Sequence, residues 1–120
     1  RLDDALKYYQ EDFRIYNWLK DMYPENQSYL CGYFICLEDI AGIYKAKNRF
    51  EDVLRYYQEE LKFSRQLKDT YPENFDYLGM YSISLENIVE IYKSMYQLDN
   101  ANKYHQEALK VKKLLQSHNA

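Results

Sequence analysis

The segment Leu19 to Leu30 (LKDMYPENQSYL) returns 48 residues later as Leu67 to Leu78 (LKDTYPENFDYL). Self-similarity at a fixed period of roughly 20 to 50 residues marks a chain built by stacking one supersecondary unit on the next. Aligning residues 1–48 with residues 49–96 gives identity at 24 of 48 positions, too many for two unrelated helical pairs. Tyr8-Tyr9-Gln10-Glu11 recurs as Tyr56-Tyr57-Gln58-Glu59, and a third copy keeps Tyr104, Gln106 and Glu107.

Apolar residues fall at steps of three and four along each copy, which is the mark of an amphipathic helix. Leu2, Ala5, Leu6, Tyr9, Phe13, Tyr16 and Leu19 predict a first helix that Pro24 ends, because the residue before proline is pushed out of the α region. Ser28 is the expected cap of a second helix, striped by Leu30, Tyr33, Leu37, Ile40, Ile43 and Tyr44 and running to about Lys47. Asn48 with Glu51 resembles a capping pair, so a third helix is expected from near Phe50 until Tyr71-Pro72. Asp76 stands where Ser28 stood, ahead of a fourth helix carrying Leu78, Tyr81, Leu85, Ile88, Ile91 and Tyr92. A fifth is expected from Leu98 or Asp99, with Ala101, Tyr104, Ala108, Leu109, Val111 and Leu115, fraying over residues 117–120.

Charge and composition narrow the function classes. The three copies carry −2, −3 and +2, and the sequence pI is near 5.4, unlike the basic face of a nucleic-acid-binding module, whose pI usually exceeds about 9. Neither a membrane-spanning apolar run nor a secretory leader is readable, so no membrane partner is expected. Cys31 and Cys36 point in different directions on one helix, which argues against a disulfide and for a reducing, cytoplasmic setting. They lack metal-site spacing, and His105 and His118 lie in no nucleophile motif. No metal, cofactor or catalytic residue is therefore expected, and the chain is read as a binding protein rather than an enzyme.

Ile40-Ala41, Tyr44, Val53 and Tyr57, and again Ile88-Val89, Tyr92, Ala101, His105 and Ala108, form a pattern. A helix ending in Ile-x-x-Ile-Tyr-Lys, a polar turn and a helix with small and aromatic residues one turn apart resembles the tetratricopeptide repeat. The period here is 14 residues longer than the ordinary 34 or so of that family, about two extra turns on each helix. Glu60 occupies a position where the pattern has a small residue, and His105 one where it has an aromatic. The resemblance implies an all-α, right-handed superhelical solenoid of five helices over residues 1–120, with residues 1–23 a half repeat, residues 28–71 and 76–118 helix pairs, and the whole a fragment of a longer protein.

It also implies a protein- or peptide-binding scaffold, with the first helix of each pair lining a groove. By position the groove candidates are Glu38, Asp39, Gly42, Lys45 and Ala46, and in the next copy Glu86, Asn87, Glu90, Lys93 and Ser94. This is a mixed, net-acidic set suited to a peptide with basic or polar groups. Glu38 and Gly42 occupy positions that carry the carboxylate-clamping Lys and Asn set of the chaperone-binding members, so that ligand class is not expected. Trp18, which the repeat does not require, and Phe75, which stands against Gln27 just beyond the connector, are candidate interface residues, whereas tyrosines recurring at one helical phase are expected in the core. Two alternatives stand beside this reading: a regulatory or spacer segment of a larger signalling protein, and self-association through apolar surface at the solenoid ends.

Overall fold

The computed structural model describes residues 1–119, and all the regular structure among them is helical: α1 (Leu2–Met22), α2 (Gln27–Ala46), α3 (Phe50–Thr70), α4 (Phe75–Ser94) and α5 (Leu98–Asn119). None of these helices is long and apolar enough to cross a membrane. The chain divides into two compact units, Arg1–Tyr56 and the stretch from Tyr57 onward, so the division falls within α3.

In the first unit α1 lies against α2, with the Phe13 and Tyr33 rings 5.4 Å apart. The predicted α1 stripe is half-buried apart from Leu2, and α1 holds no fully buried residue. By contrast α2 buries its predicted stripe except for the half-buried Ile43, and Phe34, Cys36 and Ala41 in addition, so it is covered on more than one face. The first turns of α3 come back onto α2, where Tyr56 stacks on Tyr44 at 5.7 Å.

In the second unit α4 is the central helix, with α5 along one side and the latter part of α3 along another. Leu85, Ile88 and Ile91 have at most 1% of their surface exposed. Burial of one such side chain typically contributes about 1.5–3 kcal/mol. The α3–α4 layer is not purely apolar: Ser64 Oγ donates to Ser84 Oγ at 2.9 Å, and Asn87 Nδ2 donates to Glu60 Oε1 at 3.0 Å. Glu60, Ser64 and Ser84 are fully enclosed.

The Tyr-Pro-Glu-Asn copies form the same connector twice. Pro24 and Pro72 end α1 and α3 as expected, but the caps of the next helices are Asn26 and Asn74, and Ser28 and Asp76 are the second residues of the helices. Each Asn side chain accepts the backbone N–H three residues on, from Tyr29 or Tyr77, at 3.1 Å. The tyrosine rings bracketing each connector close on each other, Tyr23 with Tyr29 at 5.7 Å and Tyr71 with Tyr77 at 5.6 Å.

The other connector also differs from the predicted capping pair. Asn48 is left-handed, with φ 57°, and Arg49 N–H and Asn48 N–H reach back to the carbonyls of Tyr44 and Lys45 at 2.9 and 3.0 Å. This is the two-bond closure of a helix C-terminus. Its copy places Tyr96 at φ 58°, with 91% of the residue exposed, and a bulky side chain is strained in that region where Asn is tolerated. Tyr96→Asn is therefore expected to stabilise the chain by roughly 0.5–1 kcal/mol in a urea titration followed by circular dichroism. An unchanged or lower midpoint would contradict this account.

Candidate functional site

The predicted groove residues fall into two sets, one in each unit. Helical spacing puts Glu86, Glu90 and Lys93 along one side of α4, where with Val89 they form one wall of a cleft of about 260 Å³. The opposite wall comes from α5: His105, Ala108, Leu109 and Lys112. Ala108 and Val89 are buried in the floor, Leu109 is exposed above it, and Lys112 Nζ meets Glu86 Oε1 at 3.0 Å. Taken without their partner helices, the groove candidates of the two copies predict a net-acidic groove. With Lys112 and His105 opposite, the two carboxylates of the cleft are matched by two lysines.

Asn87 is not part of this cleft. One residue on from Glu86, it is rotated about 100° around α4 and donates to the enclosed Glu60. Ser94 caps back on its own helix, donating to the Glu90 carbonyl at 3.2 Å.

In the first unit, Glu38 and Asp39 are half-buried, while Gly42, Lys45 and Ala46 are exposed. A Cβ added at Gly42 would meet open space. Asp39 occupies the register of Asn87, and Asp12 the register of Glu60, so a carboxylate–amide pair in one unit becomes two carboxylates in the other. Burial, followed by the charges of Glu38 and Asp12, raises the pKa of Asp39 above the ordinary carboxylate value. Cys36 beside them is pushed up to about 11, chiefly by burial and then by Asp12 and Asp39, so it stays a protonated, unreactive thiol at neutral pH.

A carboxyl whose pKa is raised on folding binds its proton more tightly in the folded state. Asp39 therefore subtracts stability at neutral pH, and the loss is relieved as the pH falls through its folded pKa. Asp39→Asn is expected to raise the melting temperature at pH 7, and the gain should vanish near pH ~3, below the ordinary carboxylate pKa, where both states are protonated. Equal gains at both pH values would rule out the electrostatic cause.

Trp18 is 57% exposed on α1, on the same side as the exposed Tyr8, Ile15 and Met22. Phe75 is 36% exposed, with the His118 ring stacked on it at 3.5 Å, and residues 117–119, expected to fray, are helical. Residue 120 lies outside the described residues. Six of the tyrosines, Tyr33, Tyr44, Tyr57, Tyr77, Tyr81 and Tyr92, are buried as expected of core positions, whereas Tyr8 is 62% exposed despite sharing the phase of Tyr56 and Tyr104.

Among the described residues the molecule is thus an all-α chain built on a 48-residue internal repeat. Comparisons with protein-family models, curated proteins and solved structures return no match for it.

Proposed function

We propose that this chain is a protein- or peptide-binding scaffold of the tetratricopeptide-like, right-handed solenoid type, and that the α4/α5 cleft receives a helix from its partner. The observation that carries the reading is the register shared by α3 and α5. Residues His105, Ala108, Leu109 and Lys112 of α5 correspond to Tyr57, Glu60, Leu61 and Ser64 of α3, and all four α3 residues are buried. On α3 that register takes a helix, since Ser64 and Glu60 bond to Ser84 and Asn87 of α4. On α5 the same register borders an open cleft. Helix-in-groove docking uses this kind of surface, with apolar anchors set between charges that fix orientation. A cytoplasmic setting suits two cysteines that are not joined in a disulfide.

A synthetic peptide of residues 75–94 carrying Ser84→Glu and Asn87→Leu presents a carboxylate to Lys112 and an apolar side chain to Ala108. Labelled and titrated with the protein, it is expected to bind saturably, and Ala108→Glu with Leu109→Glu should abolish binding while the helical circular dichroism is retained. No saturable binding, or binding indifferent to those substitutions, would reject the cleft. The exposed Tyr8, Ile15, Trp18 and Met22 face favours self-association as a second reading. A molar mass by light scattering that stays monomeric across concentration would exclude it.

A further inference from the structure

Another side of α4 carries a second surface of different character. Arg65 and Lys68 from α3 and Lys103 and Lys110 from α5 converge around a depression of about 460 Å³ whose lining includes the buried Tyr81. Lys68 Nζ lies 4.8 Å from the Tyr81 ring centroid and Arg65 Cζ 5.8 Å from it, so the ring's negative face holds both cations at the rim. The acidic residue in the lining is Glu107, which accepts a long bond from the Tyr81 hydroxyl at 3.5 Å, and Asp69 pairs with Lys68 from outside at 2.8 Å. Four cations against these two carboxylates leave the depression positive on a chain whose formal net charge is −3.

The feature is written into the repeat. Lys7, Arg55 and Lys103 share one register and Arg14, Lys62 and Lys110 another, so a cation stands at both places in all three copies. In the first unit Lys20 sits over Tyr33 at 4.5 Å, as Lys68 sits over Tyr81.

We infer that this depression is a docking site for an acidic peptide segment, separate from the α4/α5 cleft. Lys103 and Lys110 are seven residues apart, about 10 Å of rise along α5, which is too far for one small anion to span. In a peptide with polyproline-II backbone, carboxylates three residues apart share one face about 9 Å apart and match that separation. A nucleic acid is disfavoured because the aromatic rings here offer no stacking platform: Tyr81 is 2% exposed and Tyr104 is already stacked on Tyr92 at 5.9 Å.

The test is fluorescence anisotropy with the full chain and a labelled 12-residue peptide of Glu and Gly, at low and moderate salt. The expected result is saturable binding that weakens with salt and falls about tenfold in Lys103→Gln with Lys110→Gln, as loss of two exposed charge contacts would give. Arg1→Gln with Lys113→Gln makes the same change in net charge at residues that do not line the depression and should leave affinity unaltered. Circular dichroism of each variant establishes that the fold is retained. Equal weakening by the two pairs, equal affinity for a single-stranded oligonucleotide of the same charge, or no binding by the parent chain would each overturn the inference.

Discussion

Asn87→Ala is expected to lower the unfolding free energy by about 1–3 kcal/mol, because it withdraws a hydrogen-bond donor from a carboxylate with no access to water. Asn87 Nδ2 donates to Glu60 Oε1 at 3.0 Å, and Glu60 is 0% exposed. Asn87→Asp is expected to cost more, about 3–5 kcal/mol at neutral pH, since it sets a second negative charge against the first in an enclosed layer. The loss should shrink as acid protonates the pair. Urea titrations at neutral and acidic pH measure both effects. An Asn87→Asp variant as stable as the parent at pH 7 would contradict this account. The first unit carries the two-carboxylate arrangement in Asp12 and Asp39 and tolerates it because these residues are half-buried.

Gly32→Ala is expected to destabilise the chain by roughly 1–3 kcal/mol, the cost of inserting a methyl into a packed layer. A Cβ at Gly32 would overlap the ring of Tyr16 on α1 well inside van der Waals contact. Gly79→Ala and Gly42→Ala supply the contrast, because a Cβ at either position meets nothing within 4 Å. There the helix gains Ala in place of Gly, and a stabilisation of about 0.5–1 kcal/mol is expected. Three glycines on two helices should thus split by sign in the same thermal-denaturation experiment, and a uniform response would remove Tyr16 as the reason.

Helix positions were readable in the sequence because proline and the three-four spacing act locally. Leu98 and the Tyr23-Pro24 and Tyr71-Pro72 stops fall where those signals put them, and α3 begins at the expected Phe50 although the capping pair that pointed there is not formed. The caps differ from those expected because Tyr-Pro-Glu-Asn-x-(Ser/Asp) offers two capping side chains within three residues, and sequence does not say which reaches the N–H of Tyr29 or Tyr77. Asn48, whose spacing from Glu51 predicts a helix start, closes the previous helix instead, since Asn suits both a cap and the left-handed region. The Glu86, Glu90 and Lys93 face follows from helical spacing alone. Its partners Lys112 and His105 were hidden because they belong to the packing of α5 on α4, as was the contact of His118 with Phe75, 43 residues away in sequence.

The exchange at the Tyr16 and Gly32 registers reaches beyond the stability of one layer. The second copy carries Ser64 and Met80 there, so the large and small residues change places between the two copies. A chain whose halves are identical at 24 of 48 positions risks assembling the wrong pair of helices as it folds. Setting α1 on α4 in that register would bring Tyr16 against Met80, and setting α3 on α2 would bring Ser64 against Gly32, a crowded layer in one case and a hollow one in the other. Two residue pairs thus act as an address, sorting near-identical helices to their own neighbours.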